Sequence, residues 1–129
     1  MGIRQVFAEL PNLATLAAAL PDPAAFLAAE AALSLDGAPL LLHLWTRTGP
    51  GSVRARVFGP TLGVLEDPAT GSAAGALGGL LASRGEGEHL VIEQGIEMAR
   101  PSRIEVFARG MAVTIAGPCV PMLEGTLTL

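Results

Sequence analysis

Residues 66–84 read Glu66-Asp67-Pro68-Ala69-Thr70-Gly71-Ser72-Ala73-Ala74-Gly75-Ala76-Leu77-Gly78-Gly79-Leu80-Leu81-Ala82-Ser83-Arg84. Two carboxylates and a proline lead into a run, residues 71–83, that carries no charge. A surface helix keeps one apolar stripe, whereas a helix apolar on every side is buried. Gly71, Gly75, Gly78 and Gly79 each weaken a helix by about 1 kcal/mol relative to alanine, so packing must compensate. Their use is close backbone approach. The stretch therefore predicts a buried central helix, from about Thr70 to Ser83, inside a sheet that curls around it.

The flanking sequence supplies that sheet. Ile3 to Leu10 opens as a strand, followed by a short helix over 12–20 with Leu13, Leu16 and Leu20 at helical spacing. Pro21-Asp22-Pro23 breaks it, and Pro23 to Leu35 reads as a second helix, closed by an Asp36-Gly37 turn. Leu40 to Thr48 and Ser52 to Phe58 flank Gly49-Pro50-Gly51 as a hairpin. In its second strand Arg54 and Arg56 alternate with Val53, Ala55 and Val57, which predicts one polar face. Beyond Gly85-Glu86-Gly87, strands are expected at His89–Ile96, Ile104–Arg109, Met111–Ala116 and Cys119–Leu129. The sum is about seven strands, two peripheral helices and one central helix. The fold class is α+β, a mixed β-sheet curled as a barrel-like wrap around a central buried helix.

At 129 residues the chain, 1–129, is expected to form a single domain. Half the residues are apolar and 16% are charged, enough for a sizeable core. The net charge of −4, without a basic block, argues against nucleic acid or an anionic membrane as partner. All eight basic residues are arginine, so a lysine-dependent phosphate loop and any lysine Schiff base are excluded. Cys119 is the only cysteine, so no internal disulfide forms. The first residues show no signal-peptide pattern and no run is long and apolar enough to span a membrane, which makes a cytoplasmic location the expectation.

The acidic turn has two readings. In the structural one, Asp67 and Pro68 are an N-cap and N1 pair, with Thr70 as an alternative cap. In the functional one, the N–H groups of Thr70, Gly71, Ser72 and Ala73 bind a carboxylate or phosphate, helped by the Ser72 hydroxyl. Asp67 beside them then handles a proton or orients the substrate. A helix N-terminus favours an ionised carboxylate, while a general acid at neutral pH needs burial or a second negative charge. Asp67 is therefore expected as a hydrogen-bonding or proton-relay partner rather than the principal base.

The run Arg56-Val57-Phe58-Gly59-Pro60, with Leu62-Gly63-Val64-Leu65-Glu66-Asp67-Pro68-Ala69-Thr70-Gly71-Ser72-Ala73, resembles the phenazine-biosynthesis isomerase (PhzF-like) family. Further matches are Glu93-Gln94-Gly95-Ile96-Glu97-Met98, Arg100-Pro101-Ser102, and a closing segment from Gly117 to Glu124-Gly125-Thr126. Ala99 stands where the family usually has glycine. The resemblance implies one half of a diaminopimelate-epimerase-like fold, matching the C-terminal domain of a two-domain protein. It also implies cofactor-independent proton transfer at carbon on a small carboxylate substrate, in an isomerase or epimerase. Asp67 and Ser72 would be catalytic, the turn Thr70, Gly71, Ser72 and Ala73 would bind substrate, and Arg56 would support it. The related epimerases carry a catalytic cysteine in the corresponding turn, and this chain has none there. The family's main glutamate base belongs to the other half, and no segment here matches it. A homodimer, or association with a separate N-terminal-half chain, would then complete the site. The alternative is a non-catalytic binding or structural module.

Other candidates carry less. His43 and His89 lack partners at metal-ligand spacing, and each reads as a satisfied strand or surface histidine, so no metal site is expected. Cys119 reads as a small buried residue, and Trp45 and Phe58 as core.

Overall fold

The computed structural model describes residues 5–33 and 39–127. Its elements are β1 (Gln5–Glu9), α1 (Leu13–Ala18), α2 (Pro23–Ala32), β2 (Leu41–Gly49), β3 (Ser52–Gly59), β4 (Val64–Asp67), α3 (Gly71–Ser83), β5 (His89–Gln94), β6 (Ser102–Arg109) and β7 (Ala112–Ala116). A 3-10 turn, Pro60–Leu62, joins β3 to β4. The seven strands form one mixed sheet in the order β1-β2-β3-β5-β6-β7, with β4 paired to β3 off this path. The sheet curls into a half-barrel and α3 packs in its concavity, mainly on β6 and β7.

Local chemistry sets the helix ends. Asn12 Oδ1 accepts the Thr15 N–H at 2.9 Å to cap α1, and Asp22 Oδ1 accepts the Ala24 N–H at 2.9 Å ahead of Pro23 at N1 of α2. Helix α3 stops where Gly85 takes φ +76°, with Gly85 N–H donating to Ala82 and Glu86 N–H to Leu81. That left-handed residue satisfies the last carbonyls.

The glycines of α3 do what their spacing predicts. A Cβ on Gly78 would lie 2.5 Å from Val106 Cγ1, and one on Gly75 would lie 3.0 Å from Ile115 Cδ1. The helix is thus pressed onto β6 and β7. Leu77 and Leu81 complete the core with Trp45, Val53, Ala55, Leu90, Ile92 and Val106. Burying each of those leucines contributes about 1.5–3 kcal/mol, which offsets the roughly 3 kcal/mol lost to the interior glycines. Phe26, Leu40 and Phe58 form a second cluster with Ala29, Leu42 and Leu44.

Helix α3 lies in the curled sheet as expected, with Ser72, Ala76 and Ser83 left exposed on its outer face. Other expectations need correction. The expected strand over Cys119–Leu129 is absent among the described residues: 117–127 is exposed and irregular, and Cys119 is exposed with it. Its place in the count is taken by β4, whose four residues borrow their pairing from β3. On the polar face of β3, Arg54 is half-buried against Glu93 and Arg56 is buried. Ile3, the Asp36-Gly37 turn and the last two residues lie outside the described residues. Among the described residues no helix is long and apolar enough to cross a membrane.

Candidate functional site

One edge of β3 is shared by two strands. Its first half pairs in parallel with β5, from Ser52↔Val91 to Ala55↔Gln94. Its second half pairs antiparallel with β4, with Val57↔Asp67 and Phe58↔Glu66. The end of β4 therefore meets the end of β5 beside Arg56, and the chain leaves that junction through Pro68 and Ala69 into α3.

Gln94, fully buried, locks the junction. Its amide nitrogen donates to the Asp67 carbonyl at 2.6 Å and to Thr70 Oγ1 at 3.0 Å, while its Oε1 accepts the Thr70 N–H at 3.3 Å. Because Thr70 Oγ1 accepts from Gln94, its single proton points onward, to Asp67 Oδ2 at 2.6 Å. Asp67 Oδ1 has only a long 3.4 Å contact with the Ala69 N–H. Ser102 Oγ donates to the Pro68 carbonyl at 2.8 Å. Gly95, at φ +76°, lies under the turn, and a Cβ there would collide with the Arg100 carbonyl and sit 2.9 Å from the Pro68 carbonyl.

Arg56 works from the other side. Its Nε and Nη2 donate to Glu66 Oε1 and Oε2, each at 2.8 Å, a two-pronged pair next to Asp67. Its Nη1 donates to the Leu16, Ala17 and Ala19 carbonyls at 3.1, 3.0 and 2.8 Å, collecting the last carbonyls of α1. Hydrogen bonding to Glu66 holds the guanidinium above its ordinary range, against the opposing effect of burial. Arg56 thus ties α1 to the strand that delivers Asp67.

The first turn of α3 differs from the sequence expectation. Asp67 ends β4 and is not the N-cap; Thr70 takes that position, and no side chain caps the helix. The Thr70 N–H is already taken by Gln94, so the donors without a helical partner are those of Gly71, Ser72 and Ala73. Asp67, Thr70 and Ser72 line one cleft of about 310 Å³, walled by Leu41, Gly59, Leu62 and Val64. Among the described residues Asp67 is its one ionisable lining residue. Ser72 is exposed and its Oγ accepts from Gln5 Nε2 at 3.2 Å. Nothing lies within 4 Å of where a Gly71 Cβ would be, so the backbone there is open to a ligand. Gly71 lines a neighbouring cavity of about 700 Å³ that extends to Glu93, Ser102, Ile115 and Val120. The Ala73 side chain is buried against Leu41 and Val57, which leaves only its N–H to contribute.

The residues missing from the sequence reading are Gln94, Glu66 and Ser102 as supports. A glutamine in the buried alternation of β5, two after Ile92, is the signal that could have found the first. His43 is buried but not satisfied: neither ring nitrogen has a partner among the described residues, and Phe7 packs on it at 5.1 Å. Burial lowers its pKa from 6.5 to about 4. His89 is exposed and meets Glu105 at 3.2 Å. Among the described residues no group of three His, Cys, Asp or Glu side chains could hold a metal.

A family model described as Phenazine biosynthesis-like protein (PhzC-PhzF) matches residues 1–125. The trans-2,3-dihydro-3-hydroxyanthranilate isomerase of Pseudomonas chlororaphis is 37% identical over 136 residues, covering 99% of this chain and 46% of that protein. An uncharacterized isomerase of Deinococcus radiodurans is 36% identical over 111 residues, covering 81% of this chain and 35% of that protein. Among solved structures, a PhzF-family phenazine biosynthesis protein of Bacillus anthracis superposes with TM-score 0.66 at 21% identity, over 86% of this chain and 40% of that one. A PhzF-family protein of Enterococcus faecalis gives 0.57 at 22% identity, over 85% and 43%. The chain spans about half the length, or less, of the curated relatives it matches. On the match over residues 1–125 and the identity to these isomerases, the chain belongs to the phenazine biosynthesis-like family of PhzF-type proteins.

Proposed function

We propose that the chain is the C-terminal-half domain of a cofactor-independent isomerase that moves a proton at carbon on a small carboxylate. The carrying observation is the cleft in which Asp67 and Ser72 meet beside an uncapped helix start. The N–H groups of Gly71, Ser72 and Ala73 receive the substrate carboxylate, as helix N-termini receive anions. Asp67 Oδ1, the less engaged oxygen, hands on a proton between the substrate and the acid–base group of the second half, while Oδ2 stays anchored to Thr70. The substrate named for the Pseudomonas relatives is itself a carboxylate, which supports this class. A second half, supplied by another copy or by a separate N-terminal-half chain, adds a further acid–base group and closes the cleft.

The test is solvent-deuterium exchange into trans-2,3-dihydro-3-hydroxyanthranilate, followed by NMR. Asp67→Asn is expected to lower exchange about 100-fold. Unchanged exchange in that variant removes Asp67 from the chemistry. A second reading, a non-catalytic binding module, is favoured by the single ionisable group in the cleft. It predicts saturable binding of the carboxylate with no exchange at all.

A further inference from the structure

Gln5 and Phe7 lie two apart on β1 and therefore share a face. The register sets Gln5 beside Leu41 and Phe7 beside His43 on β2. That face lies under α3, because Phe7 packs against the core that holds Leu77 and Leu81. On β2 and β3 the same core is lined by Leu41, Trp45, Ala55 and Val57, all apolar and buried. Gln5 breaks the pattern. Its Oε1 is buried without a hydrogen-bond partner among the described residues, as are both ring nitrogens of His43.

Leaving a buried polar group unpaired is unfavourable, and a nearby remedy exists. His43 is the diagonal neighbour of Gln5 on β2, and a side chain as long as glutamine reaches that far. Instead, the Gln5 amide nitrogen donates to Ser72 Oγ at 3.2 Å. The side chain serves the first turn of α3 and leaves its own oxygen unpaired.

Its effect there follows from the hydroxyl's single proton. A serine in a helix can donate that proton to a carbonyl one turn back. Ser83, at the far end of α3, does so, donating to the Leu80 carbonyl at 2.7 Å. Ser72 has no such bond among the described residues, and its bond from Gln5 occupies only a lone pair. The proton is left free, at the exposed helix start that lines the cleft with Asp67 and Thr70.

We propose that Gln5 is a positioning residue. By donating to Ser72 Oγ it keeps the Ser72 hydroxyl as a hydrogen-bond donor, which joins the Gly71, Ser72 and Ala73 N–H groups in holding one carboxylate. Gln5 itself touches no substrate atom. The identity of the ligand rests on the function proposed above; the orientation of the hydroxyl rests on Gln5.

The chain has two glutamines and one asparagine, so the Gln5 side-chain amide can be resolved by NMR. In the free protein its signal should shift in Ser72→Ala. Binding is followed by titration with trans-2,3-dihydro-3-hydroxyanthranilate. Gln5→Leu should weaken it about tenfold, the size of one hydrogen bond to a charged group. In a Ser72→Ala background the same substitution should do nothing further. Gln5→Glu keeps the contact but reverses it, since a carboxylate only accepts, and should weaken binding at least as much. Gln5→Leu also removes an unpaired buried oxygen, so its urea midpoint should hold or rise. A lowered midpoint alongside weaker binding makes Gln5 part of the fold alone and overturns the proposal. So does a Gln5 amide signal blind to Ser72→Ala, full binding in Gln5→Leu or Gln5→Glu, or an equal loss with the Ser72 hydroxyl absent. A wild type that binds no carboxylate, while its Gln5 amide still answers to Ser72→Ala, sinks the function proposed above and leaves the hydroxyl's orientation standing.

Discussion

Ala99 has φ +54°, a left-handed backbone conformation that costs an L-residue energy and a glycine almost none. It closes the turn in which Ala99 N–H donates to Ile96 and Arg100 N–H to Gly95, the turn that seats Gly95 under the Asp67 segment. Ala99→Gly is therefore expected to raise stability by roughly 0.5–1 kcal/mol in urea denaturation, the remainder being lost to chain entropy. Gln94 is the opposite case, since every polar atom of its buried amide is used. Gln94→Leu should cost about 2–3 kcal/mol by leaving the Asp67 carbonyl and Thr70 N–H without partners. His43 makes stability depend on pH. The unfolded chain takes up a proton near pH 6.5 that the buried ring accepts only near 4, so stability falls as pH drops through that window. The loss approaches about 3 kcal/mol at the acid end. In His43→Phe, a pH series of thermal melts should be flatter between those limits.

Helix α3 is where packing and intrinsic preference conflict. Gly78→Ala improves helix propensity by about 1 kcal/mol, yet its methyl group would meet Val106 at 2.5 Å. Packing should win, with a net loss of about 1–3 kcal/mol in chemical denaturation. Gly71→Ala meets nothing within 4 Å and should be neutral or slightly stabilising, while crowding a ligand at the first turn. The pair separates glycines kept for packing from a glycine kept for access. This helix was legible in the sequence because an uncharged, glycine-spaced run has few other uses. Strand β4 was not: Val64–Asp67 is too short to show a period, and only the free half of the β3 edge makes it a strand. The tail misled in the other direction. Cys119–Leu129 has the apolar content of a strand, but no partner strand lies beside it among the described residues, and Pro118 precedes it and Pro121 interrupts it.

For the molecule as a whole, the fold was more readable than the site. Charge-free and alternating segments announce a sheet around a helix, and the EDPATGSA string points to Asp67 and Ser72. The support of that turn is a product of topology: Gln94 reaches Asp67 across 27 positions of sequence because β4 and β5 abut along one strand. No local pattern encodes such an encounter. The same arrangement has a kinetic consequence. The β2–β3 hairpin closes over a short turn and β4 follows after a single 3-10 turn, whereas β5 can dock in parallel only once α3 has crossed over. Closing this longer loop costs more chain entropy than the hairpin, so the β4–β5 junction is expected to form after the local pairings. Gln94→Leu should accordingly leave the refolding rate nearly unchanged and quicken unfolding, which a stopped-flow chevron would separate. The clasp on Asp67 would then govern how long the turn stays assembled, with little influence on how fast it first forms.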